Sequence, residues 1–93
     1  MVIDVRYGRC GKVFVILHGS FDSLAADRLH DVLAESDPAR PVFIDFQEVR
    51  LVEPLALAVL ANESRVPGRS LTVTGLSHGH QRLLAGYARQ PRN

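Results

Sequence analysis

"PVFIDFQEVRLVEPLALAVL", residues 41–60, decides the fold. Val42, Ile44 and Phe46 alternate with Phe43 and Asp45, the two-residue period of a β-strand. Every residue from Leu55 to Ala61 is apolar. Pro54 suits the first position of a helix, where the backbone N–H has no partner within the helix. Residues 54–63 therefore read as a helix that follows the strand through a corner at Glu53. A helix apolar on every side is buried on every side. One side lies on a sheet; the other needs a neighbouring helix or another protein.

Upstream, Val2, Ile3 and Val5 suggest a short strand ended by Gly8. "GRCG" turns the chain into "KVFVIL", whose β-branched and aromatic residues read as a buried strand ending near His18. The short glycine-bearing link predicts a hairpin. In "GSFDSLAADRLHDVLAES" the period changes. Ala25, Leu29, Val32 and Leu33 fall on one helix face. Asp22 or Ser23 can cap its start, because a short side-chain oxygen accepts a free N–H of the first turn. Pro38 and Pro41 stop it.

Downstream, "VPGRS" breaks the second helix, and "LTVT" is a fourth strand followed by Gly75. "SHGHQRLLAGYARQ" reads as a third helix capped by Ser77, with Leu83, Leu84 and Tyr87 facing in. Gly86 weakens it by roughly 1 kcal/mol relative to alanine. Arg89 in the last turn suits the negative end of the helix dipole. The order β-β-α-β-α-β-α makes the helix-linked strands parallel. The expected fold is α/β: one domain over residues 1–93, a mixed sheet of about four strands packed by three helices.

Composition agrees with one small globular domain. The chain has 93 residues, 46% hydrophobic and 23% charged. Its longest apolar run is far short of the ~20 residues of a membrane span. Its first ten residues carry Asp4 and no apolar signal segment, so a cytoplasmic protein without membrane insertion is expected. A single cysteine, Cys10, excludes an internal disulfide. Arg9 and Lys12 could lower its pKa, but an incidental turn residue is the plainer reading. Residues 1–63 hold all ten acids and six basic residues, a balance of −4. Residues 64–93 hold five arginines and no acid, a balance of +5. Such asymmetry marks either an acidic or anionic partner or a solvated basic face.

Motifs for chemistry are mostly missing. "GRCGK" resembles the end of a phosphate-binding loop, but Arg6 stands where the leading glycine belongs and Val13 follows Lys12. His18, Ser20 and Asp22 crowd into six residues, whereas a working triad is assembled from separated elements. His78 and His80, with no cysteine and no nearby acid, make a poor metal site. No catalytic residue, metal ligand or cofactor is expected, and neither is nucleic-acid binding.

Three segments together resemble STAS domains, the family of bacterial anti-sigma-factor antagonists. "VFVILHGSFDSLAADRLHDVL" resembles the strand, Gly-x-x-Asp and helix that open the family. "PVFIDFQEVRLVEPLALAVL" resembles its second signature, in which a strand ending in an Asp, here Asp45, leads through a loop to an Asp-Ser-Ser-Gly-like helix start. "SLTVTGLSHGHQRLLAGY" is similar to its last strand and helix. The resemblance spans essentially the whole chain. It implies a domain that binds other proteins: anti-sigma kinases, signalling assemblies or transporters. In phosphorylation-controlled members the second Ser of Asp-Ser-Ser-Gly is the acceptor. Position by position, the Asp falls on Glu53, the first Ser on Pro54, the acceptor on Leu55 and the Gly on Ala56. All four depart from the pattern, so the corner keeps a helix start without the serine switch.

The expected function is a non-catalytic protein-interaction module resembling an anti-sigma-factor antagonist. Its expected contact surface is Ser20, Phe21 and Asp22 together with Glu53, Pro54, Leu55, Ala56 and Leu57. Two alternatives are an accessory subunit of an ABC lipid transporter and a binder of a small anionic ligand through the C-terminal arginines. A homodimer is compatible with all three.

Overall fold

The computed structural model describes residues 2–89. Strand β1 (Val2–Tyr7) and β2 (Val13–Phe21) form an antiparallel hairpin across a 3-10 turn at Arg9–Gly11. Helix α1 (Ser23–Ala34), strand β3 (Val42–Val52), helix α2 (Pro54–Glu63), strand β4 (Leu71–Thr74) and helix α3 (His78–Arg89) follow. The sheet order is β1-β2-β3-β4, with β2, β3 and β4 parallel. This is the expected mixed four-stranded sheet with three helices.

Alternation fixes which face is covered. Val13, Val15 and Leu17 of β2 and Val42, Ile44 and Phe46 of β3 are buried, and Ile3, Val5, Leu71 and Val73 of the outer strands flank them. Helix α1 adds Ala25, Ala26, Leu29 and Leu33; α2 adds Ala56, Leu57 and Leu60. Phe21 and Phe46 meet edge to face, with ring centroids 4.9 Å apart. Each buried Leu or Phe stabilises the fold by about 1.5–3 kcal/mol. Helix α2 packs between α1 and α3, which answers the question its composition raises: neighbouring helices take the sides that the sheet does not. Helix α3 is seated less deeply. None of its residues is fully buried, and Leu83, Leu84 and Tyr87 pack half-buried against the core edge. It is the helix with least apolar burial to lose.

Two strands outrun their sequence reading. β2 continues to Phe21 rather than ending near His18, and β3 continues to Val52 where the family resemblance implies a loop after Asp45. The two extensions pair with each other, through register shifts that flank His18 and Gly19. Gly19 takes a φ of 100°, a left-handed value that a side chain resists, and so lets the ladder shift without breaking. Asp22 is the α1 cap: its Oδ1 accepts from the Ala25 N–H at 2.9 Å. At α3, Ser77 Oγ accepts from the His80 N–H at 3.3 Å.

Candidate functional site

The paired extensions carry the chain to the C-terminal ends of the parallel strands, where α/β folds place their sites. Ser20 pairs with Leu51, Phe21 with Val52, and the Glu53 N–H donates to the Phe21 carbonyl at 2.9 Å. Helices α1 and α2 leave from these adjacent strand ends, so their N-termini emerge together. Glu53 occupies the α2 cap position in extended conformation but makes no side-chain cap. Its carbonyl accepts instead from Ala56, at 3.0 Å. The "GSFD" segment and the "EPLAL" corner are thus neighbours.

Burial divides the eight expected contact residues. Phe21, Ala56 and Leu57 are fully buried and belong to the core. They support the surface and cannot touch a partner. Asp22 is half-buried and its carboxylate is committed to the α1 cap. Ser20, Glu53, Pro54 and Leu55 are exposed. Leu55 keeps 68% of its surface in solvent although it belongs to the most apolar helix of the chain. Leu24, in the first turn of α1, and Leu51, opposite Ser20, are 63% and 61% exposed. Sequence reasoning missed these two. Leu24 lies off the Ala25–Leu29–Leu33 face, and Leu51 lies next to the inward Val52; both signals were available. The exposed residues at this end of the domain are therefore Leu24, Leu51 and Leu55 with Ser20, Glu53 and Pro54.

Chemistry is sparse there. His18 Nε2 lies 3.2 Å from Asp4 Oδ2 and Asp22 caps α1, so neither is turned to Ser20 as a triad would need. A depression of about 250 Å3 opens between the end of β3 and the start of α3, beside Arg50, Ser77 and His80. Ser77 Oγ and His80 Nδ1 are 3.0 Å apart, within the same helix cap. Among the described residues no cluster of three His, Cys, Asp or Glu could hold a metal ion. Nor, among them, is any helix long and apolar enough to cross a membrane.

The basic C-terminal third is partly consumed by the fold. Arg65 donates to Asn62 Oδ1 at 2.9 Å and to the Tyr87 carbonyl, tying α2 to α3. Arg69 Nη2 donates to the Leu33 carbonyl at 2.9 Å, placing a cation at the negative end of α1. Arg82 and Arg89 are exposed on α3, and Arg92 lies outside the described residues. The arginines are not gathered into one anion-binding cleft. No protein-family model matches the chain, and no curated protein matches it in sequence.

Proposed function

We propose that the chain is a non-catalytic protein-interaction module, of the anti-sigma-factor-antagonist kind that its motifs resemble, and that it docks a regulatory protein on the corner where α1 and α2 begin. The observation that carries this reading is Leu55. It stands two-thirds exposed at the second position of a helix whose neighbouring positions, Ala56 and Leu57, are buried. Leu24, in the first turn of α1, and Leu51, on β3, are exposed at the same end of the domain. An anchor residue at the desolvated centre of an interface can be worth ~2 kcal/mol or more. A hydroxyl at this position would let a kinase place a charge of about −1.5 to −2 on the contact surface. Leucine does not accept phosphate, so the corner stays competent to bind, and control rests with the partner, with abundance, or with a serine such as Ser20, Ser23 or Ser64.

Two substitutions in the first turn of α2 test it. Leu55→Asp leaves the circular dichroism spectrum and melting temperature close to wild type and abolishes capture of the partner from the native host. Leu57→Asp buries a carboxylate in the core and unfolds the protein. If Leu55→Asp captures the same proteins as wild type, the corner is not the docking surface.

A further inference from the structure

Parallel strands are ordinarily covered on both faces. Here the three helices cover one face of β2, β3 and β4 and leave the other bare. Strand register assigns the bare face row by row. Arg6, Phe14, Phe43 and Thr72 lie side by side across the four strands. Asp4, Ile16, Asp45 and Thr74 form the next row. Six of these eight residues line a shallow depression of about 480 Å3. Phe14 and Phe43 stack within it, centroids 5.2 Å apart and planes 19° from parallel, and Lys12 Nζ sits 5.9 Å from the Phe43 centroid. Phe14 is 38% exposed.

The charges are ordered. Arg6, with Lys12 lying over the Phe43 ring, makes the first row cationic; Asp4, which His18 Nε2 approaches at 3.2 Å, and Asp45, whose Oδ1 also accepts from the Gln47 N–H at 2.8 Å, make the second anionic. We propose that this face docks a second copy of the chain, about a two-fold axis that runs between the two rows, perpendicular to the strands. Rotation about that axis keeps each strand over its own counterpart and exchanges the rows. Arg6 then faces the partner's Asp4, Phe14 faces the partner's Ile16, and the Lys12–Phe43 pair faces the partner's Asp45. Every contact occurs twice, as an isologous interface requires. A two-fold axis parallel to the strands does worse. It sets Arg6 against Thr72 and Asp45 against Ile16, and buries carboxylates with no cation opposite.

The size of the face sets the strength. Strands about 4.8 Å apart, six residues long across β1 to β3 and four in β4, at ~3.3 Å per residue, cover about 350 Å2 per copy. The two copies together bury on the order of 700 Å2, below the range of standard specific interfaces, so the dimer is weak and reversible. The inference goes beyond the docking corner, since Leu55 takes no part in either row.

Sedimentation velocity on the full chain from about 1 µM to about 1 mM tests it. Wild type shifts from monomer to dimer across this range. Asp4→Arg sets cation against cation and Arg6→Asp sets carboxylate against carboxylate, and each weakens dimerisation at least about tenfold. Mixed in equal amounts, the two variants form a heterodimer, because the two cations of one then face the two carboxylates of the other. Leu55→Asp dimerises like wild type, which separates this face from the docking corner. The double variant Asp4→Arg/Arg6→Asp restores the homodimer and covers the case in which a single variant is poorly folded. A wild type that stays monomeric throughout overturns the proposal. So do single variants that dimerise unchanged, as they would through the β1 edge, and a mixture that fails to recombine.

Discussion

Replacing His30 by alanine should destabilise the protein, and by more in acid than in base. His30 on α1 and Glu63, the last residue of α2, join the two helices through His30 Nδ1 and Glu63 Oε1. The Glu63 side chain is 6% exposed and the His30 side chain 57%. The glutamate is therefore nearly dehydrated, and the imidazole is its donor at the protein surface. Loss of a donor to a buried charged group costs about 1–3 kcal/mol. The imidazole is half in water, which screens the ion pair and lets solvent reach the vacated site, so about 1–2 kcal/mol is expected. For a domain of this size that lowers the melting temperature by roughly 5–15 °C. The His30 pKa is raised above its ordinary 6.5, first by the hydrogen bond to Glu63, then by that carboxylate's charge, with Asp31 and Asp27 adding to it. A raised folded-state pKa means that the charged pair stabilises fully below the unfolded value of 6.5 and is lost as pH rises through the raised value. A neutral imidazole still donates a hydrogen bond, so part of the gap survives in base. Urea unfolding of wild type and His30→Ala at about pH 5.5 and about pH 9 measures both parts. A double-mutant cycle with Glu63→Gln isolates the pair. A gap below about 0.5 kcal/mol at the acid pH, or one that widens toward base, refutes the reasoning.

Gly75→Ala should cost about 2 kcal/mol or more, because Gly75 holds a φ of 83° and an added Cβ would lie 2.6 Å from the Gln47 backbone nitrogen. A melting temperature within a few degrees of wild type would show that β4 and β3 can part there. Cys10→Gly should instead stabilise by about 0.5–1 kcal/mol, since Cys10 carries a φ of 60° in the 3-10 turn and glycine relieves the clash. Chemical denaturation reads the sign directly, and a loss of stability would mean that the cysteine side chain makes up for its strained backbone.

The strand periods, the α1 face, Pro54 as a helix start and the proline stop after α1 all rest on local chemistry, and local chemistry is written in residue order. The extensions of β2 and β3 are not of that kind. Gln47 to Val52 has no clean alternation, and His18 to Ser20 looks like a turn. Each stays extended because the other supplies its hydrogen bonds, which is knowledge of a partner some thirty residues away. The same holds at the candidate corner. Motif order marks eight residues as an expected contact surface, yet four of them serve the core or a helix cap, and the exposed Leu24 and Leu51 lie outside that set.

By itself the sequence determined the α/β class, the number and order of the elements and a start of α2 without a hydroxyl, because side-chain period and turn chemistry act within a few residues. Only the tertiary structure decided that Leu55 faces water while Leu57 does not, since a helix apolar on every side carries no stripe to orient it and takes its direction from α1, α3 and the sheet. Only the tertiary structure, likewise, placed Arg6 beside Phe14 and Asp4 beside Ile16. The hairpin register sets those neighbours, and with one face of a parallel sheet left uncovered, the rows they form become a surface.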